Sequence, residues 1–128
     1  MEKKTKFIIF ILAVIVLIGG LGVWVEVVKK PKQNVSLGGF AKCVSESGAK
    51  FYGTFWCSHC QNQKKMFGED AKYLPYIECS TPDGRGQTKE CVDDGIEAYP
   101  TWIFKDGSKE TGELPIEKLA EKTSCNIK

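Results

Sequence analysis

The chain has a single histidine, His59, and only one Cys-x-x-Cys, at Cys57 and Cys60. A structural zinc site needs four ligands, ordinarily a second cysteine pair or paired histidines, so the sequence supports no metal site, and no cofactor is expected. An excess of charge is missing as well. The formal net charge is +2, but the positive balance comes from lysines at the two ends of an N-terminal apolar run. Beyond Lys32 there are 12 Lys plus Arg against 14 Asp plus Glu, and a faintly acidic body has no electrostatic footprint for nucleic acid. Internal repeats and low-complexity tracts are also absent, so each element is read once.

Charge disappears altogether from Phe7 to Val25, a run of 19 residues. In a helix that run spans roughly 28 Å, about one hydrocarbon core. No Ala-x-Ala site follows it, and it exceeds a usual signal-peptide core, so it reads as an anchor; Gly20 and Gly22 mark the competing cleavage point. Lys3, Lys4 and Lys6 precede the run and Lys29, Lys30 and Lys32 follow it. The free amino terminus and the short leading tail favour a cytoplasmic N-terminus with the body outside. The expected organisation is a tail and transmembrane helix over residues 1–28, a linker over 29–36 and one domain over 37–128.

What the body does have is cysteine, six in all. So many in a small domain are expected in an oxidising, extracytoplasmic compartment, where they act as staples. Two are set apart. Cys57-Ser58-His59-Cys60 follows the aromatic stretch Phe51 to Trp56, and cysteines at i and i+3 share a face where a helix begins, so their sulfurs can close a disulfide or open to a dithiol. At the helix start, free N–H groups and the helix dipole favour thiolate on Cys57. A protonated His59 stabilises that anion only in the reduced state, which tilts the couple toward oxidising behaviour.

Around this motif the pattern predicts a short helix over Leu37–Ser47, a strand over Lys50–Phe55, and a helix opening at Cys57 in which Cys60, Phe67, Ala71 and Leu74 keep a helical period. Gly68 weakens or kinks that helix, and Pro75 ends it. Tyr76–Cys79 reads as a buried strand and Ser80–Thr88 as turns. A short helical piece near Glu90–Asp94 leads to a strand over Tyr99–Phe104 and a hairpin turn at Lys105–Ser108. Pro115 opens a last helix with Ile116, Leu119 and Ala120 on its apolar side.

With Trp56-Cys57-Ser58-His59-Cys60 and the distant Tyr99-Pro100-Thr101, the chain resembles the thioredoxin superfamily. More narrowly, through Phe51 to Cys57, Tyr76 to Cys79 and Gly95 to Trp102, residues 37–125 resemble the thioredoxin-like domain fused to bacterial homologues of vitamin K epoxide reductase. The resemblance implies an α/β thioredoxin-like fold, βαβ then ββα, here with an N-terminal transmembrane helix. It further implies that Cys57 is the nucleophile, Cys60 the resolving partner and Pro100 a cis proline beside which a substrate peptide pairs. Tyr99 and Thr101 are then expected substrate contacts, and Trp56 is equally a substrate contact or a packing residue that covers the edge of the site. Two departures stand out. Phe51 occupies the position of the usual buried acid, and Ser58-His59 replaces Gly-Pro, closer to the Pro-His of DsbA-type oxidases and the Gly-His of protein disulfide isomerases.

Cys79 and Cys91 flank the turn-rich loop with an acid beside each sulfur, which favours a structural bridge over a nucleophile. Cys43 and Cys125 are left, one on the first body helix and one at the end of the last; if those helices meet, a bridge there would clamp the domain's ends. Six cysteines permit fifteen connectivities, and a relay role for Cys43 or Cys125 stays open. The expected function is a single-pass, membrane-anchored thiol-disulfide oxidoreductase that forms disulfides in exported, cysteine-containing proteins. The four-helix quinone-reducing domain is not present in this sequence, so a quinone-linked membrane oxidase of the vitamin K epoxide reductase type is the expected partner. The alternatives are a reductase or isomerase fed by a membrane electron carrier, and a non-catalytic chaperone that holds thiols.

Overall fold

The computed structural model describes residues 2–27 and 37–127, with side chains from Lys3 to Val16 and from Leu37 onward. The expected linker over 29–36 lies outside the described residues. Two compact units result, split after Asn34. The first contains one helix, α1 (Glu2–Val27). Among the described residues no helix is long and apolar enough to cross a membrane. In α1 the described side chains end at Val16, so the Phe7–Val25 run is only partly covered by that finding, and the expected transmembrane helix is not found among the described residues.

The second unit is built on a four-stranded mixed sheet ordered β2-β1-β3-β4, made of β1 (Lys50–Gly53), β2 (Tyr76–Glu78), β3 (Thr101–Ile103) and β4 (Lys109–Thr111). β1 and β2 run parallel; the other two pairings are antiparallel. A parallel pair needs a crossover, here supplied by α3 (Ser58–Lys65) and a 3-10 helix (Gly68–Tyr73). The expected single helix from Cys57 to Leu74 is thus two pieces. Gly68 adopts φ +57°, a left-handed conformation that ends the α-helix and restarts the chain on a tighter one.

Successive residues of β1 face opposite sides of the sheet, and this sorts the core. Phe51 packs with Phe40 and Val44 of α2 (Gly38–Glu46), with Cys60 and Phe67, and with Leu119 of α5 (Ile116–Thr123). Its ring stacks on Trp102 at 4.6 Å and meets Tyr76 edge-on at 5.2 Å. Tyr52 packs instead with Cys79, Cys91 and Ile96 around α4 (Lys89–Asp93), and its hydroxyl donates to Asp94.

Each layer carries one bridge. Cys79–Cys91 closes the loop that leads into α4, and Cys43–Cys125 joins α2 to the segment after α5 across 82 residues of sequence. Long loops lose the most unfolded-state entropy on closure. Replacing both Cys43 and Cys125 by alanine is therefore expected to lower the unfolding free energy by about 3 kcal/mol, read as a lower urea midpoint. A shift of a few tenths of a kcal/mol would show that the bridge constrains nothing.

Candidate active site

β1 is an inner strand of the sheet, and the turn after its C-terminal end sets up the sulfurs. Gly53 lies opposite Glu78 in the parallel ladder. The Glu78 carboxylate accepts from the Phe55 N–H at 3.2 Å, the Ser80 N–H at 2.9 Å and the Tyr76 hydroxyl at 2.8 Å. One carboxylate thereby pins both the turn into the motif and the start of the Ser80 loop. Cys57 then donates its N–H to Thr54 O at 3.2 Å and caps α3 with extended backbone. Its sulfur accepts the Cys60 N–H at 3.3 Å, one of the otherwise unpaired donors of a helix start.

The two sulfurs are unbonded and differently placed. Cys57 keeps 8% of its surface and Cys60 none, so an incoming thiol reaches Cys57 first. Burial, followed by the hydrogen bond with Cys57, pushes the Cys60 thiol from its ordinary 9.0 up to about 12; the Thr54 backbone and Lys64 oppose the shift. Gly53 is required by this packing. A methyl group there would come within 2.9 Å of both Cys60 Sγ and Tyr76 Cε2, closer than real contacts allow.

A raised thiol value is also a stability statement. Below about 9 the thiol is protonated in folded and unfolded chains alike; between 9 and about 12 the folded chain keeps a proton that the unfolded chain has released. The unfolded state then binds fewer protons, so stability falls as pH rises through that window, by on the order of 4 kcal/mol at most. Reduced protein should show this loss in urea titrations at high pH, and a Cys60→Ala variant should not. Equal slopes for the two would mean that Cys60 titrates normally.

An aromatic rim borders Cys57. Phe55 and Trp56 are 51% and 56% exposed. The Trp56 indole N–H donates to Ser80 Oγ at 3.1 Å, and the ring meets Tyr99 edge-on at 6.1 Å. The structure thus brings the Tyr99-Pro100-Thr101 segment to the motif, with a cis Tyr99–Pro100 bond and a fully buried Pro100. The buried Thr101 turns its hydroxyl to Ala98 O at 2.8 Å.

His59, between the two cysteines in sequence, has a carboxylate partner. Its side chain is 69% exposed, and Nδ1 lies 2.6 Å from Glu113 Oε1. Hydrogen bonds from His59 and then Asn62 hold the Glu113 carboxyl below its usual value. An imidazolium facing a carboxylate projects a smaller field onto the sulfurs than an unpaired one.

Sequence reasoning missed Glu113, Glu78 and Gln63. Gln63 is fully buried; its amide donates to Leu114 O at 3.0 Å and accepts the Leu114 N–H at 2.7 Å, clamping α3 to the segment before α5. A glutamine on the apolar side of a helix was the available signal. Cys79, Cys91, Cys43 and Cys125 are bonded in the two bridges described above, and Cys57 and Cys60 are the free pair.

No family model matches the chain. It is 48% identical over 92 residues to thiol-disulfide oxidoreductase LTO1 of Arabidopsis thaliana, covering 68% of this chain and 24% of that protein. It is 29% identical over 75 residues to mycoredoxin 1 of Corynebacterium glutamicum, covering 59% of this chain and 92% of that protein. These relatives indicate the thioredoxin-like superfamily. The mixed four-stranded sheet flanked by helices fits a thioredoxin-like fold. The chain spans about a quarter of the Arabidopsis protein's length, and the similarity supports redox chemistry in general.

Proposed function

We propose that this thiol-disulfide oxidoreductase acts as a membrane-anchored, extracytoplasmic oxidase that forms disulfides in exported proteins. The observation that carries the reading is the unequal sulfur pair: Cys57 at the cap of α3 with residual exposure, and Cys60 sealed behind it. A substrate thiolate attacks Cys57 Sγ of the Cys57–Cys60 disulfide and forms a mixed disulfide, releasing Cys60. A second substrate thiolate then attacks the substrate's own sulfur and releases Cys57, so the substrate loses two electrons and the enzyme dithiol gains them. The rim of Phe55, Trp56 and Tyr99 offers apolar surface to an unfolded chain.

The uncharged run from Phe7 to Val25 supports anchoring, and an anchor raises the dithiol's effective concentration near a membrane partner. A quinone-linked membrane oxidase of the vitamin K epoxide reductase type is the proposed partner, taking the electrons back from Cys57 and Cys60. The test mixes oxidised full-length protein in detergent with a reduced, unfolded two-cysteine substrate. Formation of one substrate disulfide per Cys57–Cys60 pair reduced supports an oxidase. A substrate that stays reduced, while the same protein cleaves pre-formed disulfides once supplied with electrons, replaces it with a reductase.

A further inference from the structure

Oxidase chemistry makes a demand of Cys60 that its surroundings do not obviously meet. When a substrate thiolate attacks Cys57 Sγ, the Cys57–Cys60 bond breaks and its electron pair goes to Cys60 Sγ, which leaves as a thiolate and then takes a proton from solvent. A sulfur leaves more slowly as its thiol pKa rises, and Cys60 combines complete burial with a thiol pushed up to about 12. That value already includes the opposing effect of Lys64, so without a nearby cation Cys60 would be a poorer leaving group still. Phe51, stacked on Trp102 and edge-on to Tyr76, supplies neither charge nor proton at the position six residues before Cys57.

The fold sets a cation there from another direction. Lys64 follows Cys60 by four residues on α3, so the two side chains lie on one helix face. Its Nζ lies 3.3 Å from the centre of the Tyr76 ring. That ring borders the sulfur, since a single methyl-sized point at Gly53 is 2.9 Å from both Tyr76 Cε2 and Cys60 Sγ. The ring is fixed in turn by its hydroxyl bond to Glu78 at 2.8 Å. Among the described residues no carboxylate forms an ion pair with Lys64. Lys64 is partly buried, and no described carboxylate contacts its ammonium; burial lowers its proton affinity, while the charges of Glu78 and Cys60 raise it.

We infer that Lys64 is a positioning residue for the redox step, the counter-charge that stabilises the Cys60 thiolate as it leaves. By reversibility it also stabilises the Cys60 thiolate that attacks a mixed disulfide on Cys57. The inference rests on the thiol-disulfide reading above. In both resting states Cys60 is uncharged, either bonded to Cys57 or protonated, so Lys64 acts on the passage between them. Its removal lowers rates in both directions and leaves the equilibrium nearly where it was. The other titratable groups facing this site are Cys57 at the start of α3, Tyr76 and Glu78 on β2, and Tyr99 before β3. All are retained when only Lys64 is changed.

The test uses full-length protein in detergent, with reduction by glutathione and oxidation by glutathione disulfide followed from pH 6 to 9 in rapid-quench alkylation. Lys64→Met and, as a second variant with a polar side chain, Lys64→Gln are each expected to slow both directions about 10-fold. The equilibrium constant against glutathione stays within about 2-fold of wild type, and Lys64→Arg recovers the rates to within about 3-fold. Wild-type rates in either folded neutral variant would overturn the inference. A loss that arginine does not repair, or a change in the equilibrium constant as large as the change in rate, would do the same. If wild type reacts with neither form of glutathione, the thiol-disulfide reading itself fails; if wild type reacts and the neutral variants match it, only the role of Lys64 fails.

Discussion

Replacing Cys57 with serine is expected to abolish disulfide transfer to a reduced, unfolded protein, lowering the rate by about a thousandfold or more. The partly exposed sulfur at the cap of α3 is the one a substrate reaches, and Cys60, with no exposed surface, has no path to take over. A hydroxyl in its place forms no mixed disulfide. The matching Cys60→Ser change leaves Cys57 able to form an adduct but removes the intramolecular thiol that clears it, so mixed disulfides should accumulate on nonreducing gels. The same pair of variants separates an enzyme from a chaperone that holds thiols by binding alone: if Cys57→Ser protects unfolded substrate as well as wild type does, the protein works without turnover.

A second large effect is expected at Phe51. The thioredoxin resemblance places an acid there, yet Phe51 is fully buried between Trp102 and Tyr76. Phe51→Asp removes a stacked ring and sets a carboxyl group among aromatic faces with no partner. Together these should cost about 5 kcal/mol of stability, enough to unfold many small domains. Urea unfolding measures it. A Phe51→Asp variant as stable as wild type, and with faster exchange, would mean that the site accepts the acid after all and that Lys64 is redundant.

How the sequence announced the site, and where it stayed silent, follows from which interactions are local. The Cys57–Cys60 spacing, the helix that begins at Ser58 and the crossover to Tyr76–Glu78 are set by neighbours in the chain, and the pattern of residues carries them. Gly68 was legible as a weak point but not as a full break, because its left-handed backbone depends on how the 3-10 helix packs under α2. The third strand is shorter than its aromatic run: Tyr99 and Pro100 serve the rim of the site, leaving Thr101–Ile103 to the ladder.

Glu78 shows the limit most plainly. Beside Cys79 in sequence it reads as an acid that discourages a thiolate, whereas in the fold it accepts three hydrogen bonds and organises the approach to Cys57. Its partner Phe55 is 23 residues away, and no local pattern encodes that meeting. Gln63 with Leu114, and His59 with Glu113, are likewise joined across 51 and 54 residues.

The reduction potential of the Cys57–Cys60 couple tests the account most directly. Full-length protein is equilibrated against graded glutathione and glutathione disulfide, and the fraction of the Cys57–Cys60 disulfide is read by alkylation and mass. An oxidase should sit well above thioredoxin's value of about −270 mV, in the range of about −180 to −120 mV. A couple at or below about −270 mV would contradict disulfide donation and make the domain a reductase.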